Sequence, residues 1–214
     1  MGHIQVTAAD NAFLKEDDAT REKHRRLKTE GLFLERGMQY YVSARFAAIL
    51  GFMPVAGNQF HHAIEMFLKS QLAFRGVSLR DLYKEFRHDL VKIWEAFKAG
   101  FPAEDLSGFN ELVSRLDQWD DIRYPDDVLK NGMIGQIDWT SDGTPIQVSG
   151  PHSNSPRYEL SVLPLDRLVV KILRLSGRTS SRGLRHELSH GKGNGQCGFD
   201  ALYYENAEKA YWEN

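Results

Sequence analysis

The sequence predicts an all-α protein, an antiparallel up-and-down helical bundle that carries a small β-hairpin insertion. Apolar residues recur at intervals of three and four along several segments, which is the period of an amphipathic helix. The connections between these segments are short, so neighbouring helices are expected to run up and down. One region, at about residues 131–150, departs from this period, because two β-prone runs flank Asp142-Gly143. That dipeptide is typical of a tight hairpin turn.

The composition is that of a globular protein with a full core: 214 residues, 42% hydrophobic and 26% charged. A net charge of −2 gives no overall basic field, so any nucleic-acid site must be a local patch. The single cysteine excludes an intrachain disulfide and a cysteine-rich zinc site, which suits a reducing cytosol. The sequence shows neither the apolar core of a signal peptide nor a membrane span, so we expect a cytoplasmic protein with no membrane partner.

The chain is expected to form one helical domain, residues 31–214, preceded by a polar N-terminal arm, residues 1–30. Gly51 and Gly76 are expected to end the first two helices, and Asp89 to lie at or next to the N-cap of the third. The segments with helical spacing are residues 32–50, 56–75, 88–99, 105–124, 160–176 and 198–214.

Near the C-terminus, the stretch "RHELSHG", residues 185–191, contains two overlapping catalytic patterns. The first is H-E-x-x-H, the zinc-protease signature, in which His186 and His190 would share one helix face and Glu187 would act as base. The glycine-rich "GKGNG" that follows would break such a helix. No third ligand has a convincing motif around it, so zinc is not the favoured interpretation.

Shorter stretches upstream resemble signatures of the HEPN domain family. "FHHAIEMFLKSQLA" contains Glu65 and Lys69 in an A-x-E-x-x-x-K arrangement, "HDL" begins at His88, and "RYPD" begins at Arg123. Their order and spacing, over about residues 32–126, make the chain similar to this family. The resemblance implies a HEPN-like helical bundle.

The resemblance also gives "RHELSHG" its second interpretation. Active HEPN domains are similar in having an Arg, four to six further residues and a His near the start of the last helix. Arg185 and His190 fit this pattern, and His186 stands where a polar residue often follows the Arg. The resemblance therefore implies a metal-independent endoribonuclease of a toxin–antitoxin or defence type system, with these three residues catalytic and with no cofactor or metal.

These residue types suit RNA cleavage without a metal. Histidine can act as base or acid near neutral pH, and arginine presents a fork that matches phosphate oxygens. Along a regular helix Arg185 and His190 would point about 140° apart. A site shared between two protomers would relieve this, so we expect a homodimer. The expected RNA contacts are Arg178, Arg182 and Lys192.

Other functions stay open. HEPN members that lack the motif are thought to bind nucleotides or partner proteins, so a non-catalytic binding module is the main alternative. Its partner would be an antitoxin or a nucleotidyltransferase protein. A zinc metalloprotease is the third possibility. On the second helix, His61, His62 and Glu65 could ligate a metal, although interior packing with a hydrogen bond along the helix is the favoured interpretation.

Overall fold

Helices make up most of the molecule. The computed structural model describes residues 17–123, 125–139, 155–182 and 195–214. In chain order, its helices and strands are α1 Asp18–Ile49, α2 Met53–Phe74, α3 Leu90–Ala99, α4 Asn110–Asp117, α5 Pro125–Asn131, β1 Ile134–Asp138, β2 Arg157–Ser161, α6 Val162–Leu175, α7 Gly195–Tyr203 and α8 Lys209–Glu213. Shorter helical turns lie at Leu79–Asp81, Leu82–Phe86, Ser107–Phe109 and Gln118–Arg123. The predicted helical character is confirmed.

Helices α1 and α2 form the centre of the fold. Ser70, late in α2, donates a hydrogen bond to the carbonyl oxygen of Glu30, early in α1. Ser43, late in α1, donates to the side chain of Gln59, early in α2. The residues therefore meet in reverse order, and these two helices run in opposite directions.

Backbone signals end these helices where the sequence predicted. Gly51 and Gly76 follow α1 and α2 with φ of +76° and +94°, a conformation that favours glycine over residues with a side chain. The predicted cap of α3 is also confirmed, because the Asp89 carboxylate accepts a hydrogen bond from the backbone N–H of Lys92 at 2.8 Å.

Helix α1 begins well before the predicted start of the domain. Its first residue is Asp18, and the preceding Asp17 caps it. The helix crosses residue 30 without a break. The part of the expected arm that the structure describes, residues 17–30, is therefore continuous with the domain. Pairs of opposite charge three and four residues apart stabilise these exposed first turns.

The two strands that the structure describes do not form the predicted hairpin with each other. Strand β1 forms inside the predicted insertion, but it pairs with β2 in a parallel, two-stranded sheet. Parallel neighbours need a crossover connection and cannot be the two arms of a tight hairpin. The run after Asp142-Gly143 lies outside the described residues. Long-range packing explains the pairing, because Tyr158 and Leu160 of β2 are buried in the core and fix the face that the strand presents.

A buried polar cluster fastens the C-terminal segment to α1. Arg45 and Asp166 are both fully buried, and the guanidinium donates to the carboxylate. Tyr41 donates to the same carboxylate oxygen, and the backbone N–H of Ala207 donates to the other at 3.1 Å. Arg45 also donates to the carbonyl oxygen of Ala201 at 2.8 Å. Burial raises the pKa of Asp166, and the charge of Arg45 opposes that shift.

We predict that Arg45→Ala lowers the free energy of unfolding by about 3–5 kcal/mol, because the substitution leaves the Asp166 charge buried without its partner. The matched control is Lys171→Ala. Lys171 pairs at 2.7 Å with Glu104, but both side chains are more than one third exposed, so the loss should stay below about 1 kcal/mol. Urea denaturation of both variants measures the difference. Equal losses would contradict the prediction.

Candidate functional site

The motif "RHELSHG" lies wholly outside the described residues. Arg185, His186, His190 and Lys192 lie in the gap between residues 182 and 195, outside the described residues. Their positions relative to one another therefore stay predictions.

The segment that leads into the motif is held at two points. Arg178, about one third exposed, donates to Glu30 of α1 at 2.7 Å. Ser181 is buried and donates to the carbonyl oxygen of Trp212 in α8 at 2.9 Å. Arg182, the last described residue before the motif, is exposed. Arg178 and Arg182 are both expected RNA contacts. Arg182 is exposed to solvent, whereas Arg178 already donates a hydrogen bond to Glu30.

A polar cluster, which we call the Glu65 cluster, forms where α2 meets the chain before α3. Its members are Glu65, Lys69, His61, His62 and His88. The Glu65 carboxylate is fully buried and accepts from Lys69 Nζ at 2.6 Å. Nδ1 of His62 and Nδ1 of His88 each lie 3.2 Å from its other oxygen, Oε2. The HEPN-like stretches that contain Glu65 and His88 therefore converge on one carboxylate.

Helical spacing and one strained turn build this cluster. Residues His61, Glu65 and Lys69 lie four apart on α2 and so share a face. The π-helical turn Leu82–Phe86 and Arg87, at φ +46°, then turn the chain towards that face. Positive φ is costly for a residue with a side chain. Here it brings the Arg87 carbonyl into contact with Lys69 Nζ.

The cluster keeps its carboxylate charged. Burial alone would raise the pKa of Glu65. The hydrogen bond from His62, the charge and hydrogen bond of Lys69, and the hydrogen bond from His88 outweigh burial and lower the pKa to about 2. Burial lowers the pKa of the His61 imidazole, although Glu65 acts in the opposite direction. At neutral pH the cluster therefore contains a carboxylate and a neutral buried imidazole.

The cluster opens onto a cleft of about 480 Å³, within the range of small-ligand pockets. Phe33, Arg36 and Tyr40 of α1 form one wall, and Tyr83 lines the cleft from the turn before α3. Two imidazoles of the cluster, those of His62 and His88, also line it. The cleft thus combines aromatic rings, one guanidinium and two imidazoles above a buried carboxylate.

Helical spacing in the sequence grouped His61, His62 and Glu65, but it did not bring His88 to them. His61 is buried and contacts the Leu116 carbonyl oxygen, in agreement with the favoured packing interpretation. Within the described ranges, His61, His62 and Glu65 also form a group of potential metal ligands with atoms within 4.8 Å of one another. The contact of His88 with Glu65 spans 23 residues, and no local spacing rule predicts it.

Comparisons of the chain with family models, curated proteins and solved structures give no match. Among the described helices, none has both the length and the apolar character needed to cross a membrane. The residues of the chain itself are therefore the basis for assigning a function.

We predict that Lys69→Met lowers the free energy of unfolding by about 3–5 kcal/mol, because it removes the cation beside a buried carboxylate. Adding Glu65→Leu should restore part of this loss, since the double variant no longer buries an uncompensated charge. Chemical denaturation of the single and double variants tests the cycle. A double variant that loses the sum of two large single losses would show that the pair is not coupled.

Proposed function

We propose that the protein is a HEPN-like, metal-independent endoribonuclease of a toxin–antitoxin or defence type system, acting in the cytoplasm as a homodimer. The observation that carries this proposal is "RHELSHG", in which Arg185 and His190 have the spacing of the HEPN active motif. The helical fold and the convergence of Glu65, Lys69 and His88 support the resemblance. The proposal also includes the arrangement of the helices as an antiparallel up-and-down bundle.

The proposed reaction divides its work between imidazole and guanidinium. His190 takes the proton of the RNA 2′-hydroxyl and then delivers it to the leaving 5′-oxygen, and Arg185 stabilises the charge on the phosphorane. His186 assists as the polar neighbour of the Arg. The 2′-oxygen attacks the adjacent phosphorus while the bond to the 5′-oxygen breaks. The products are a 2′,3′-cyclic phosphate and a 5′-hydroxyl.

Local positive charge supports RNA binding beside the motif. Arg182 is exposed directly before it, and Lys192 follows it in the sequence. About one third of the Arg178 side chain is exposed to solvent. Because the net charge of the chain is −2, RNA binding requires a local basic patch, and we propose this segment as that patch.

The alternative function is a non-catalytic HEPN module that binds a nucleotide or a partner such as an antitoxin or a nucleotidyltransferase. The cleft above the Glu65 cluster favours it, because Arg36 can contact phosphate, and Tyr40 and Phe33 offer rings for stacking on a base. A zinc metalloprotease is the third possibility and uses His186 and His190 as ligands. Substitution of Glu187 separates it from the ribonuclease.

The proposed dimer would complete a site shared between protomers. An apolar surface suited to self-association lies at the turn between α1 and α2, where Phe46, Ile49, Leu50, Phe52 and Val55 are each more than one third exposed. Clustered exposed apolar side chains are typical of interaction surfaces. A two-fold dimer would pair this surface with itself.

We predict that the purified protein cleaves RNA in excess EDTA, and that His190→Ala and Arg185→Ala each lower the rate by about 10²–10⁴. His190→Ala removes the acid or base, and Arg185→Ala removes the phosphorane contact. Glu187→Ala is the matched control within the same motif, and its activity should stay within a few-fold of the parent. The assay follows a labelled RNA, single-stranded or structured.

Melting temperatures of the three variants accompany this assay, so that unfolding is not mistaken for lost chemistry. Full activity in His190→Ala would refute the ribonuclease and leave the binding module. Loss of activity in EDTA at an unchanged melting temperature, restored by zinc and abolished by Glu187→Ala, would support the metalloenzyme instead.

We predict a dimer at micromolar concentration, measured by sedimentation or light scattering. The double variant Phe52→Asp/Val55→Asp should shift the mass towards the monomer, because it buries charge in the proposed interface. The control is Leu129→Asp, at a leucine on α5 that is 81% exposed, which should leave the dimer intact. A parent protein that stays monomeric at high concentration would contradict the shared site.

A further inference from the structure

The His61 imidazole is fully buried, and its two nitrogens have different surroundings. Nδ1 lies 3.2 Å from the carbonyl oxygen of Leu116, which can only accept, so Nδ1 carries the ring hydrogen. In the neutral ring Nε2 therefore presents a lone pair. Within the part of the chain that the structure describes, Nε2 has no hydrogen-bond partner. A buried acceptor without a partner is costly and needs an explanation.

The lone pair on Nε2 lies 3.9 Å from another acceptor, Oε2 of Glu65. Two facing acceptors repel each other unless a cation lies between them. His62 Nδ1 lies 3.2 Å from the same Oε2. In a tetrahedral site with metal–ligand bonds of about 2.0–2.1 Å, neighbouring ligand atoms lie about 3.3–3.4 Å apart. The observed separations of 3.2 and 3.9 Å fall on either side of that value.

The surroundings of these atoms are those of metal ligands. A metal-bound histidine commonly donates its other N–H to a backbone carbonyl, as His61 does to Leu116. Glu65 uses Oε1 for Lys69, which fixes the carboxylate with Oε2 directed at the imidazoles. His88 Nδ1 is also 3.2 Å from Oε2. The cleft gives an ion access, because the side chains of His62 and His88 are 20% and 54% exposed.

We propose that the Glu65 cluster binds a divalent transition-metal ion of the zinc class through three ligands, His61 Nε2, His62 Nδ1 and Glu65 Oε2. Imidazole ligands select such ions over calcium or magnesium, which prefer oxygen. When the ion binds, it takes the place of the Nδ1 hydrogen of His62, and Nε2 of that ring carries the hydrogen instead. The site shares no residue with "RHELSHG", so it does not depend on the proposed function.

The experiment is zinc titration of the full-length protein by calorimetry, with cobalt absorption as a second readout. It uses the variant His186→Gln/His190→Gln, so that zinc held by the H-E-x-x-H pattern does not contribute. We expect one zinc per chain in this background. Adding His61→Gln or His62→Gln should weaken binding at least about 100-fold, the upper end of the loss seen for second-shell changes, because each removes a ligand. It should also remove the visible bands of tetrahedral cobalt.

The matched control adds His24→Gln, at an exposed histidine of α1, and should leave both readouts unchanged. Circular dichroism checks the fold of each variant. His62 is partly exposed, so its substitution keeps the test valid if His61→Gln does not fold. Absence of zinc binding in the background variant would overturn the proposal. So would equal zinc affinity in folded His62→Gln. Neither result bears on ribonuclease activity, which the His190→Ala assay tests separately.

Discussion

The direct packing of α1 on α2 is the constraint on which the rest of the structure depends. A Cβ at Gly37 would lie 2.7 Å from the ring of Phe67, so a side chain there would push the helices apart. Helix α1, held this close to α2, contacts other parts of the fold on two of its sides. Its Arg45 side holds α6 and the C-terminal segment, and its Tyr40 side forms a wall of the cleft. A change in the spacing of this pair would therefore disturb both the core and the candidate site.

Two buried carboxylates are compensated in different ways. Asp166 faces a guanidinium and a phenol, and its surroundings are closed to solvent. Glu65 faces an ammonium on one oxygen and imidazoles on the other, and its surroundings open onto a cleft. An arginine cannot release its proton in a protein, whereas an imidazole can change its protonation or accept a metal. The closed cluster is therefore suited to holding the fold together, and the open one to chemistry or ligand binding.

The sequence predicted the helix ends that depend only on neighbouring residues. The positions of Gly51, Gly76 and Asp89 follow from backbone conformation and capping, and each matches its helix end. The pairing of β1 with β2 could not be predicted from local signals. The partner of β1 begins about twenty residues beyond it and is selected by core packing. The helical period placed Glu65 beside His61 and His62. It could not place His88, whose approach depends on the positive φ of Arg87.

The Arg45 cluster has a consequence for how the protein is made. Arg45 is separated by 121 residues from Asp166 and by 156 from the Ala201 carbonyl, and it needs both to be satisfied. During synthesis α1 and α2 can associate early, yet this guanidinium stays without its native partners until those residues leave the ribosome. The core is thus completed late. The segment containing Arg185 and His190 is made between these two partners, so a nascent chain acquires the motif before its scaffold closes. For a protein with the proposed toxic activity, such an order would delay the active form until the residues around Ala201 have been made.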